Sequence, residues 1–261
     1  MQLAEDVDAL AYDTAFWLVG YEEPGVYELK DLGDIGADLS RKLRALAIIT
    51  LLTTGDSDKF CHNLIRSGRV REHYLTRMRQ QPGQADHHLA SARVDPLLDA
   101  LAAGDVELAH RIAWISPRTW EPQREYEDDF CYAQILHRLI HGVQSPAVYQ
   151  PFIDQFENAL KGQPSERLAV VKALVQRSQA DFDLAFEALL DARRKDILSA
   201  IKRAQMEDPI VLAGRQVFIE GLALLRLAER QGLQTAPDYL YCPSLARRPM
   251  RTPVPTEPDA P

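Results

Sequence analysis

Apolar residues recur at spacings of three and four along nearly the whole chain, and alternating β-branched runs bounded by turn residues are almost missing, so the pattern predicts helices joined by short loops. A first helix is expected over 3–19, closed by Glu23-Pro24-Gly25, and a second over 35–53, ending near Gly55. Asp56 or Ser57 is placed to cap a third, which carries Phe60, Leu64, Val70, Tyr74 and Met78 and breaks at Gln81-Pro82-Gly83.

The clearest local unit is a hairpin over 88–116. Leu97, Leu98 and Leu101 line its first helix, Gly104 stops that helix, and Asp105 is set to accept the free N–H groups of the next one, whose stripe is Leu108, Ile112 and Ile115. Ser116-Pro117 ends the hairpin, and a loop with Trp120 and Pro122 leads to a helix expected over 125–141. Its first turn is crowded by Glu125, Glu127, Asp128 and Asp129, and its last turn holds Arg138 and His141 before Gly142, a charge order that suits the helix dipole at both ends. Further helices are predicted over 146–160, 165–179, 181–203 and 209–231, roughly ten in all. Beyond Cys242 six prolines interrupt any helix, and few large apolar residues remain. The expected architecture is therefore all-α, an irregular multi-helix bundle of antiparallel helical hairpins with an α-repeat-like stacking left open. It comprises one helical domain over 1–242 and a mobile Pro-rich tail over 243–261.

Composition narrows the function. Among 261 residues 46% are apolar and 26% charged, which is ordinary globular composition. The formal net charge of -8 argues against a nucleic-acid partner and suits a basic protein better. No apolar run approaches the ~20 residues of a bilayer span, and the acidic start does not read as a secretory leader, so a cytoplasmic location with no membrane partner is expected. Cys61, Cys131 and Cys242 are too far apart for a Cys-x-x-Cys site and odd in number, so idle thiols are expected.

Candidate chemistry is thin. Glu107 and His110 have the Glu-x-x-His spacing of di-iron bundles, but the second copy that such a site needs is missing. His137 and His141 lie four apart as in zincins, yet Arg138 stands where the general base would be. His87-His88 sits at a helix start, where an exposed or capping role is expected. There is no Gly-x-Ser-x-Gly elbow and no phosphate-cradling glycine loop. The chain reads as a binding protein rather than an enzyme, with no catalytic residue, metal or cofactor assigned. What remains is the acidic turn, whose plain explanation is a helix start. Its functional alternative is a surface of Trp120, Arg124, Glu125, Tyr126, Glu127, Asp128 and Asp129, offering aromatic anchors and carboxylates to a cationic partner.

The stretch from Ala100 through Gly104-Asp105 to Ala113, then Ser116-Pro117, Glu125-Tyr126-Glu127-Asp128-Asp129-Phe130 and the 182–193 segment resembles the immunity protein 49 family of bacterial polymorphic toxin systems, mainly over 89–193. The resemblance implies a mostly helical cytoplasmic protein that neutralises a cognate toxin by steric occlusion. An α-helical repeat-like adaptor is the first alternative. A metal-dependent helical-bundle enzyme using Glu107, His110, His137 and His141 is the second.

Overall fold

A computed structural model of the protein describes residues 2–81, 83, 86–203 and 208–255. Among them lie eleven α-helices and no strand: α1 (Gln2–Glu22), α2 (Leu32–Thr54), α3 (Ser57–Arg79), α4 (Asp95–Ala102), α5 (Val106–Ile115), α6 (Glu127–Ile140), α7 (Gln150–Leu160), α8 (Glu166–Gln176), α9 (Gln179–Arg203), α10 (Pro209–Gln216) and α11 (Ile219–Arg230). Short 3-10 turns occupy His87–Leu89, Pro146–Val148 and Ser244–Arg247. The fold is all-α, built of helices and tight hairpins as the periodicity predicts.

Local chemistry sets the hairpins. Gly55 ends α2 in the left-handed region at φ 71, its N–H donating to the Leu51 carbonyl, and the Asp56 side chain then accepts from the Lys59 N–H to start α3. Asp105 does the same for α5, accepting from the Leu108 N–H at 2.9 Å just after Gly104 turns the chain at φ 86. Ser165 caps α8 through the Leu168 N–H.

The packing has an axis. Helix α3 lies against α2, α4 and α5, and α4 in turn meets α11, so the segments around Leu64, Leu101 and Leu224 are buried together in one connected core. Gly68 lets the helices close on one another: a Cβ there would meet Leu108 Cδ2 at 2.8 Å and Ala100 Cβ at 3.0 Å. Helices α6 and α7 pack as one pair and α8 and α9 as another, with α6 touching both α5 and α8.

Two expectations are corrected. The helix predicted over 209–231 is two helices, because Val217 and Phe218 are extended and buried between α10 and α11, with the Phe218 N–H donating to the Tyr241 carbonyl at 2.8 Å. The helix predicted over 146–160 starts later, at Gln150 after a 3-10 turn over Pro146–Val148, and Pro151 sits in its first turn, where the missing N–H is not needed. The described part of the proline-rich segment, 243–255, makes specific contacts with the helical body. Ala246 is buried, the Arg247 carbonyl accepts from Arg226 Nη2, and the Asp58 carboxylate accepts from the Arg251 N–H and the Thr252 hydroxyl, each at 2.9 Å. Past the 3-10 turn at Ser244–Arg247 the chain is not helical, and the Arg251 N–H is satisfied by the helical body instead. Pro82 of the predicted break and 256–261 of the tail lie outside the described residues.

Candidate functional site

The turn before α6 is the surface that the sequence singles out, and its side chains divide into two groups. Glu125 faces inward, its carboxylate accepting from the Ala92 N–H at 2.7 Å and the Ser91 hydroxyl at 3.2 Å, and burial raises its pKa above the ordinary carboxylate value. Trp120 packs against the core and donates from its indole nitrogen to the Glu125 carbonyl. Asp129 lies 3.5 Å from Arg167, which is held mainly by Glu220, and burial raises the Asp129 pKa. Glu127 accepts from the Gln155 amide at 2.8 Å, and Arg124 pairs with Glu121 at 2.8 Å. Asp128 is partly exposed, and Tyr126 is 80% exposed. The structure thus keeps these seven residues in one segment but turns Glu125 and Trp120 toward the body. The acidic face is thinner than the sequence suggests.

Beside this segment runs an open groove of about 680 Å³ that the sequence did not single out. Leu75, Met78 and Leu89 line it with Trp114, and Arg79, Arg118 and Arg124 stand against the single carboxylate of Glu121. Trp114 is 56% exposed, with the Arg118 guanidinium 4.7 Å from its ring centroid. In the sequence Trp114 follows Ala113 at the end of the α5 stripe, so periodicity alone gives no reason to set it apart.

A separate polar network ties the 86–96 segment and α4 to α2 and α3. Arg44 pairs with Asp99 at 2.7 Å and Asp95 at 3.1 Å, and Ser67 donates to the second Asp99 oxygen at 2.6 Å. Burial alone would lower the Arg44 pKa, but the two carboxylates outweigh it and hold the guanidinium charged. Arg71, pushed down to about 10 by burial, donates to the His88 and Ala90 carbonyls, and its Nε has no partner. Tyr21, Tyr74, His88, Arg44 and Arg71 border a partly open cavity of about 120 Å³.

The metal-ligand candidates from the sequence do not converge. The His110 and His141 rings meet edge to face at 4.1 Å, whereas His137 is buried and Glu107 is exposed. These residues form no group of three possible ligands among the described residues. The three cysteines are free and buried, and burial pushes Cys131 and Cys242 up to about 12. No described helix is long and apolar enough to cross a membrane.

Compared with known proteins, residues 59–246 match the family described as Immunity protein 49, a span running from the first turn of α3 to the last 3-10 turn. No curated protein and no solved structure matches the chain.

Proposed function

The chain belongs to the immunity protein 49 family, and from that membership we propose that it binds a cognate protein toxin and covers the toxin's active site, without turnover of its own. The family match over 59–246 carries this reading. Inhibition by occupancy asks for a rigid surface with a few large anchors, over an interface near ~1,600 Å² of buried area.

The groove of Trp114, Arg118 and Arg124, with Tyr126 next along the chain, supplies such anchors. Aromatic and arginine side chains dominate interface energetics, and Trp114 and Tyr126 are both more than half exposed. With three arginines and one glutamate the groove suits a carboxylate-bearing loop of the toxin, although the net charge of -8 on the whole chain points to a basic partner. Distant charge steers the encounter and the groove sets the docked contact, so the two readings address different steps.

The test pairs this protein with the toxin domain encoded beside it. Wild type should bind it and rescue cells that express it. The double variant Trp114→Ala/Tyr126→Ala should raise Kd at least about tenfold with an unchanged melting curve. Undiminished binding by the folded variant moves the interface elsewhere. Failure of the wild type to bind or protect removes the toxin reading itself.

A further inference from the structure

We propose that Asp34, His87 and His88 form a binding site for a zinc-type divalent cation, stapling the start of α2 to the 86–90 turn. One ligand atom from each of the three residues lies within 4.8 Å of the other two. His88 Nε2 is already 2.9 Å from Asp34 Oδ1, and the His87 and His88 rings lie 4.0 Å apart between centroids. Two imidazoles and one carboxylate, with the remaining positions open to water, make a donor set that suits zinc and its transition-metal neighbours better than magnesium or calcium.

The surroundings fix the central ligand, His88. Its backbone N–H donates to Asp86 Oδ1 at 2.8 Å, and its carbonyl accepts from Arg71. Asp86 is itself held by the Tyr74 hydroxyl at 2.6 Å. Gly33 gives the ring its room, since a Cβ at that position would meet His88 Cδ2 at 2.5 Å. The residue after that glycine is the ligand Asp34, so the close approach of α2 to the ring also delivers the carboxylate. Asp86 lies 3.7 Å from His87 Nδ1, outside hydrogen-bond distance but near enough for its negative charge to favour a cation beside that imidazole.

Bonds of about 2.0–2.1 Å in a tetrahedral site bring ligand atoms closer together than 4.8 Å. The adjustment falls on the two exposed members, because the Asp34 and His87 side chains are 81% and 59% exposed while His88 is only 10% exposed. One ligand is preorganised and two can close on the ion. The inference rests on these residues alone and is independent of any toxin partner.

The experiment titrates zinc chloride into the full chain, purified without a histidine tag, and follows both heat and melting temperature. One ion per chain should bind with micromolar Kd and raise the melting temperature, and magnesium should do neither. Asp34→Asn and His87→Ala should each weaken zinc binding at least about tenfold, the scale typical of disturbed zinc sites. Both side chains are exposed enough for the apo fold to keep its melting temperature. His110→Ala, a control at the His110–His141 pair, should bind as wild type does. No saturable zinc binding, equal binding of magnesium, undiminished binding by the Asp34→Asn/His87→Ala double variant, or loss of binding in His110→Ala would each overturn the site.

Discussion

The carboxylate of Glu125 reaches back 33 residues along the chain to the Ala92 N–H and so joins the loop before α6 to the segment entering α4. Removing it leaves a half-buried backbone donor without a partner, which costs about 1–3 kcal/mol, whereas an amide oxygen at the same place can still accept. Glu125→Ala should therefore lower unfolding stability by about 1–3 kcal/mol, and Glu125→Gln by clearly less. Tyr126→Ala, one residue on and 80% exposed, should stay within about 0.5 kcal/mol of wild type. Urea melts of the three variants check this, and equal losses for Glu125→Ala and Glu125→Gln would show that the Ala92 bond contributes nothing. The sequence makes it plain that acids gather where a helix begins. It does not reveal which acid turns inward, because Ser91 and Ala92 lie on a different element. Asp86, Arg71 and Gly33 escape notice for the same reason, and Tyr74 reads only as a core residue of its helix: each matters through a neighbour on another element.

Helix α3 can touch α2, α4 and α5 at once only if some positions on it are very small. Gly68 is that position toward α4 and α5, where a side-chain carbon would run into Leu108 and Ala100 and would meet the Pro96 carbonyl at 3.3 Å. In an exposed helix a glycine-to-alanine change would stabilise by about 1 kcal/mol through propensity. Here the added methyl must push two helices apart, and overpacking of about 1–3 kcal/mol reverses the sign. Gly68→Ala should thus lower the melting temperature, while Gly214→Ala, with open space around its Cβ on α10, should leave it level or raise it. A stabilised Gly68→Ala would mean that the α4–α5 hairpin sits more loosely on α3 than the distances imply. Elements with their own start and stop signals were legible in the sequence, Asp105 after Gly104 above all. The break between α10 and α11 was not, since what extends Val217 and Phe218 is the carbonyl of Tyr241, and no local pattern announces it.

Mild acid acts on the buried groups of the molecule in opposite senses: Asp99, pushed up to about 6 by burial, favours the folded state as the pH falls, and the opposing loss comes mainly from His137. Its imidazole is pushed down to about 3, first by burial and then by the positive groups facing it, His141, Arg138, Arg71 and Arg118. In the unfolded chain the same ring takes up its proton near pH 6.5. Between those values this ring binds more protons in the unfolded state than in the folded one, so its contribution to stability is complete above pH 6.5 and drains away as the pH drops toward 3. The His137 share of that loss is about 2 kcal/mol between pH 7 and pH 5. Burial also lowers His141 and His73, and the carboxyl of Asp58 is lowered by its hydrogen bond from the Arg251 N–H, so these groups act in the same direction as His137. The Asp58 contribution couples the 251–252 segment to α3, and acid should loosen that segment along with the core. His137→Leu removes the largest proton site while keeping an apolar side chain in the α6 core. It should show a pH 7 to pH 5 stability loss smaller than wild type by about 2 kcal/mol, whatever its absolute stability. Parallel denaturant melts at the two pH values measure the difference, and equal slopes in the two proteins would mean that the ring is solvated or protonated in the folded state, so that the α6 core is open to water.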